Sequence, residues 1–244
     1  MKNNLKEVAT AAIATAIRNF YDALTNKIDR VSIRDVMRHK NPYLYRARAV
    51  VSATEIVDAV LRATVSSSEE TIFGNLFFEP LALAVSGGSK STAQGLDIDI
   101  ANPSANEIIG IAVKSGPSIF NSSSKKKQDD DMRKARTRVQ QSRGVHFKGI
   151  VGYGYGRKKS GSNGSYIFEE LAGQAFWEFL TGEPDFYKKI ADYMDGAPAK
   201  YAASFKEHYI LAENRLLKQF VAAFCKEDGS IDWDKLIEFN SGSA

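Results

Sequence analysis

The chain is poor in several residues on which common chemistries depend. Its 244 residues include one cysteine, Cys225. That excludes an intrachain disulfide and suits a reducing cytoplasm. A lone small thiol on a helical segment reads as packing rather than as a nucleophile. The three histidines, His39, His146 and His208, form no zinc-site spacing with one another or with Cys225. No apolar run approaches the ~20 residues of a membrane span. The opening stretch MKNNLKEVATAAIATAIRNF mixes charge into its apolar face, as an amphipathic helix does and a signal peptide does not. There is no Gly-x-Ser-x-Gly elbow. Gly87-Gly88-Ser89-Lys90-Ser91 lacks the spacing and Gly-Lys pair of a phosphate-binding loop. No repeat or long linker divides the chain, and 43% hydrophobic residues are enough for one domain.

What the chain does have is uneven charge. Residues 124–160 hold twelve Lys or Arg and three Asp, a local net of +9. From 169 onward there are fourteen acids and eight bases, a net of −6. A concentrated basic block reads either as a solvated helix face or as the footprint of a polyanion.

Apolar periodicity predicts a helix over about Leu5–Ile28. A short helix after Ser32 is expected to end at Asn41-Pro42. Ser52-Ala53-Thr54-Glu55 is a capping box for a helix to about Thr64. Ser68, before Glu69-Glu70-Thr71, opens another to about Val85, with Pro80 a possible kink. After turn-rich residues 86–90, Leu96-Asp97-Ile98-Asp99-Ile100 alternates as a half-buried strand does. The turn 102–106 and a strand Glu107–Lys114 complete a hairpin. A polar loop 115–124 precedes a helix to about Arg143 with Met132, Ala135 and Val139 inward. A strand Val145–Tyr153 runs into Gly152-Tyr153-Gly154-Tyr155-Gly156-Arg157-Lys158-Lys159. A strand arm Ser165–Phe168 and helices near 169–181, 184–195, 200–226 and 232–239 finish the chain. The expected class is α/β (α+β), a small mixed sheet flanked by helices.

The pair with chemical potential is Asp97 on one strand and Lys114 at the end of the next. Phosphodiester hydrolysis needs cations on the phosphoryl oxygens, an activated water and a stabilised leaving oxygen. A carboxylate at a strand end suits Mg²⁺, and a neighbouring lysine can orient the water. Alone, Asp97 and Asp99 read more readily as the wet side of an edge strand than as catalytic groups, and Lys114 as an edge gatekeeper. Glu69 and Glu70 suit a helix start; Glu70 is also a candidate metal ligand. Ser115, Asn121, Ser122, Ser123 and Lys125, Lys126 and Lys127 read as a polar loop or as phosphate donors. Arg133 and Arg136 lie on the basic helix. Tyr153, Tyr155, Arg157, Lys158 and Lys159 lie in a glycine-rich hairpin or loop that reads equally as a segment able to enter a nucleic-acid groove or as a mobile surface loop.

Gly95-Leu96-Asp97 and Ala112-Val113-Lys114-Ser115-Gly116-Pro117 resemble, in order, the two catalytic motifs of the PD-(D/E)XK nuclease superfamily. Four flanking blocks are similar to type II restriction endonucleases of the PmeII-like group: Lys40-Asn41-Pro42-Tyr43-Leu44, Ser67-Ser68-Glu69-Glu70-Thr71, Asn121-Ser122-Ser123 and Phe176-Trp177-Glu178-Phe179-Leu180-Thr181-Gly182. The resemblance covers about residues 40–190. It implies a restriction-endonuclease-like core near 68–170 within a single 1–244 domain. The helical ends, 1–65 and 170–240, would then serve dimerisation and DNA clamping, with the N-terminal helix and residues 200–226 the expected dimer contact. It implies a Mg²⁺-dependent homodimer of a restriction-modification system that cuts double-stranded DNA at a short symmetric site. Asp97 would bind metal and Lys114 would assist the water.

Ala112 departs from that pattern, which places an acid two residues before the lysine, on the same side of the strand. Three explanations stand. The preferred one is an engineered replacement of Asp or Glu that leaves a catalytically impaired enzyme. The second is a carboxylate from Glu70, Glu69 or Asp99; Glu107 falls on the opposite face unless a bulge intervenes. The third, the alternative function, is a non-cleaving, sequence-specific DNA-binding protein of the same fold.

Overall fold

A computed structural model describes residues 4–161 and 164–243. The chain divides into two compact units, residues 1–19 with 73–198 and residues 20–72 with 199–244. The borders fall inside three helices, α1 (Leu5–Asp29), α4 (Ala53–Ser86) and α8 (Ala197–Phe224).

The first unit carries the sheet. Its strands β1 (Ser89–Lys90), β2 (Ile98–Asn102), β3 (Glu107–Lys114), β4 (His146–Tyr153) and β5 (Phe168–Ala172) lie in sequence order. β1, β2 and β3 are antiparallel neighbours, while β3–β4 and β4–β5 are parallel. The parallel step from β3 to β4 needs a crossover, supplied by α5 (Ser122–Arg143). β3 and β4 form the sheet's centre and are buried along most of their length, which explains their unbroken Ile and Val content.

Register assigns the faces. Ala112 pairs with Val151, which pairs with Glu170; Lys114 pairs with Tyr153, which pairs with Ala172. Partners in register share a face. On this face Leu96, Ala112, Val151, Tyr153, Phe168 and Ala172 form one cluster with Met132 and Ala135 of α5. The opposite face meets α4 and α6 (Gln174–Thr181). A Cβ at Gly154 would collide with the Phe78 ring of α4, and one at Gly152 with Phe176 of α6.

The second unit is helical. It holds α2 (Ile33–Met37), α3 (Pro42–Ala47), α9 (Trp233–Ser241) and parts of α1, α4 and α8 around a core that includes Ile56, Val60, Leu216 and Phe220. α7 (Phe186–Met194) belongs to the first.

Several elements differ from the sequence reading. Asn41-Pro42 starts a helix rather than ending one: Asn41 Oδ1 accepts from the N–H groups of Tyr43 and Leu44, and Pro42 takes the first turn, where its missing donor costs nothing. The two helices expected over 53–85 are one, because Thr64 and Ser67 bond back to Val60 O and Thr64 O and so do not break the turn. The last strand is Phe168–Ala172 rather than Ser165–Phe168. Its alternating burial marks it as a strand, although Glu169-Glu170-Leu171 reads locally as helix.

Candidate active site

Asp97 stands just before β2 and is held at three points. Its N–H donates to Ile111 O at 2.8 Å, its C=O accepts from Ser91 N–H at 3.0 Å, and its Oδ2 accepts from Val113 N–H at 2.7 Å. Backbone and side chain thus fill successive slots of the β3 ladder, one residue from Lys114. The turn before it is equally fixed. Gly95 has φ +75°, a Cβ there would meet the Asp131 carboxylate, and Gln128 Nε2 donates to Gly95 O at 2.7 Å. Only glycine fits this position, which gives the Gly-x-Asp motif a steric cause.

Lys114 is near enough to Asp97 for its charge to stabilise the aspartate. Burial acts more strongly in the opposite direction and holds the Asp97 carboxyl above the ordinary aspartate range. The Val113 N–H, Lys114 and Lys90 pull it down, and the negative charge of Glu79 pushes it up. Glu79, on α4, bonds Lys90 of β1. Asp97 therefore stands at the centre of a charged group in which one further carboxylate, Glu79, and two ammonium groups, Lys90 and Lys114, act on it. Gly74 lets α4 come this close: a Cβ there would stand 2.8 Å from Ser115 Cβ.

Among the described residues no group of three or more His, Cys, Asp or Glu could hold a metal. Asp97, with the negative charge of Glu79 near enough to raise its proton affinity, makes with Glu79 a fitting donor pair for a hard cation. Mg²⁺ typically takes one or two carboxylates and completes its shell with water and phosphate.

Glu79 was missed from sequence because it lies in the Phe77-Phe78-Glu79-Pro80 stretch of an apolar helix, without a motif. Glu70 and Glu69 are exposed on the part of α4 that falls in the helical unit. Ala112 is wholly buried between Leu96, Val151 and α5.

The expected DNA contacts separate into groups. Lys126, Lys127, Arg133, Arg157 and Lys159 are exposed, as are Ser122 and Ser123 in the first turn of α5; Arg136 and Ser115 are half-buried. Arg133 Nε is bonded to Asp129 at 2.7 Å. Asn121 is the cap of α5, exchanging bonds with Ser124. Tyr155 is 46% exposed. Tyr153, expected at a DNA surface, is instead wholly buried, and its hydroxyl donates to Glu170 at 2.6 Å. Lys125 and Lys158 also bond Glu170, at 2.8 and 2.7 Å. None of the described helices is long and apolar enough to cross a membrane.

The family model described as Type II restriction endonuclease EcoO109I matches residues 6–203. No curated protein matches the chain.

Proposed function

The chain belongs to the Type II restriction endonuclease EcoO109I family, and from that premise we propose that it hydrolyses phosphodiester bonds of double-stranded DNA at a short symmetric site with Mg²⁺. The observation that carries the reading is Asp97 locked into the β3 ladder beside Lys114, with Glu79 acting on it from α4. Bound Mg²⁺ would neutralise phosphoryl charge and favour hydroxide over water. Asp97 and Glu79 are its proposed protein ligands. Lys114 orients the attacking water and stabilises developing negative charge. Glu79, which shares the unit of Asp97, takes the supporting role expected of Glu70. The exposed lysines and arginines of α5 and of the loop after β4 track phosphates.

A symmetric site calls for a homodimer, one active centre per strand. Ile210, Leu211 and Val221 leave an apolar face of α8 exposed and are the proposed contact. Ala112 withholds the acid that the superfamily pattern places on β3, so the enzyme is catalytically impaired. The same residue favours the second reading, a DNA-binding protein that does not cut.

Digestion of plasmid DNA with and without Mg²⁺ separates the two. Ala112→Glu and Ala112→Asp are expected to cut at least tenfold faster than the parent. If these variants bind DNA but nick none of it, the non-cleaving reading stands and the endonuclease reading falls.

A further inference from the structure

Glu170 is a buried carboxylate that the proposed reaction does not use. It lies on the α5 face of β5, in register with Val151 and Ala112, and its side chain is 8% exposed. Three donors converge on it: Tyr153 Oη at 2.6 Å, Lys158 Nζ at 2.7 Å and Lys125 Nζ at 2.8 Å. Its main chain adds a two-way bridge to Gly161, Gly161 N–H to Glu170 O and Glu170 N–H to Gly161 O, each 3.2 Å. In chain order these partners are the last residue of β4 and two residues, 158 and 161, of the segment that follows it. The fourth, Lys125, sits in the first turn of α5. One residue therefore ties the glycine-rich loop and the start of the basic helix to the same strand.

Both lysines are held on their other side too. Lys125 Nζ lies 4.9 Å from the Tyr166 ring centroid and 5.9 Å from that of Phe168; Lys158 Nζ lies 5.2 Å from the Tyr153 centroid. Their side chains are 17% and 28% exposed. An ammonium placed between a carboxylate and an aromatic face is committed to the protein interior. By contrast, Arg157 and Lys159, which flank Lys158, are exposed. The root of the loop is pinned again by Gly173 N–H to Tyr153 O at 3.0 Å and Trp177 Nε1 to Gly154 O at 2.8 Å. Gly154 and Tyr155 in turn donate to Lys114 O and Ser115 O, so the loop grows directly from the strand end that carries the active-site lysine.

We propose that Glu170 is a positioning residue: through Lys125, Lys158, Tyr153 and Gly161 it orders the loop 154–161 and the first turn of α5 before DNA arrives. Lys125 and Lys158 act as internal struts. The phosphate contacts of these segments fall to their exposed neighbours, Lys126, Lys127, Arg157 and Lys159. The proposal rests on the endonuclease reading for its DNA, but the clamp itself is testable without any.

The test uses the full chain and its Glu170→Gln variant. Limited trypsin digestion without DNA reports the loop: cleavage after Arg157 and Lys159 should be at least tenfold faster in the variant. Should Glu170→Gln fail to fold, Lys158→Met removes only the loop strut, and cleavage after Arg157 reports the same release. Binding to a mixed-sequence duplex across a salt series reports the lysines, a readout that general loosening does not move. The Lys125→Ala/Lys158→Ala double variant should keep the parent's slope of log affinity against log salt, whereas two phosphate contacts would lower it by about 1.8. A loop cut no faster in Glu170→Gln and Lys158→Met, or a slope reduced by that amount, overturns the proposal. If no variant and no parent binds DNA while the loop is released as expected, the clamp stands and the endonuclease reading fails.

Discussion

Val113 donates its main-chain N–H to Asp97 Oδ2 at 2.7 Å, so the strand that presents Lys114 also fixes the carboxylate proposed to hold the cation. The two motifs are one hydrogen-bonded unit rather than two side chains that happen to meet. Asp97→Asn keeps the size and an acceptor for Val113 but removes the charge. It is expected to fold, to bind duplex DNA as the parent does, and to lose Mg²⁺-dependent cutting. Charge stabilisation by a metal amounts to several kcal/mol, so the loss should be ~10²-fold or more. Measured on plasmid DNA in the Ala112→Glu background, where cutting is expected to be faster, activity that survives Asp97→Asn removes this residue from the centre.

Glu79 invites a sharper prediction. Its negative charge raises the proton affinity of Asp97, since like charges disfavour ionisation. Glu79→Gln should therefore do two things: weaken Mg²⁺-dependent cutting, and move the acid limb of the remaining activity to lower pH. A residue that only braces Lys90 would weaken activity without moving that limb.

The two notable carboxylates respond to pH in opposite senses. Asp97 is held above the ordinary aspartate range, chiefly by burial. The stability it contributes is full below the ordinary value and is lost as pH rises through the raised one. Cation binding needs the ionised form and so runs the other way, failing on acidification earlier than an ordinary aspartate would. For Glu170 burial acts upward, but bonds from Lys125, Lys158 and Tyr153 outweigh it and hold the carboxyl below the ordinary glutamate range. Its contribution to stability is present above the ordinary value and is lost as pH falls through the lowered one. Mg²⁺ titrations by calorimetry should thus weaken at a pH where thermal melting is still governed by an intact Glu170 cluster. Metal affinity that follows an unperturbed aspartate would remove burial as the controlling influence.

The strands that carry chemistry were legible in sequence because their pattern is local. Leu96–Ile100 alternates, Glu107–Lys114 is an Ile- and Val-rich run bounded by turns, and the motif at its end places Lys114 without help from the rest of the chain. Gly95 was legible as part of a motif, though its reason, the Asp131 carboxylate packed against it, is tertiary. Glu79 and Glu170 were not legible. The first sits in an apolar helix and gains its meaning from Lys90 and Asp97 across the sheet. The second sits in Phe168-Glu169-Glu170-Leu171-Ala172, where two adjacent glutamates suggest a solvated turn of helix. Only the pairing with β4 turns Glu170 inward and Glu169 toward Lys148. Tyr153 fails for the same reason: an aromatic in a glycine-rich stretch resembles a groove reader until the register buries it.

Arg215 supplies the test of the helical unit. Its guanidinium donates to Val31 O at 2.8 Å and Ile28 O at 2.9 Å, satisfying carbonyls where α1 ends and the chain turns toward α2. Bonds from a charged donor contribute about 1.5–3 kcal/mol each at most, and the abandoned carbonyls would still find water in part. Arg215→Ala is expected to cost ~2–3 kcal/mol, measured by urea unfolding. A change within the ±0.5 kcal/mol typical of neutral surface substitutions would make these bonds incidental.

The exposed basic residues of α5 give the last prediction, one that does not depend on cutting at all. Lys126 and Lys127 are exposed beside the capped N-terminus of the helix, where the helix end and the ammonium groups favour the same negative charge. If they meet backbone phosphates, each releases a counterion on binding. Lys126→Ala and Lys127→Ala should then each lower the slope of log affinity against log salt by about 0.9 and weaken all sequences alike. Arg133 is a contrasting control, because Asp129 already holds its Nε and a pre-paired guanidinium releases less on meeting DNA. Equal slope changes for Arg133→Ala and Lys126→Ala would mean that the whole helix face, not its first turns, lies along the duplex.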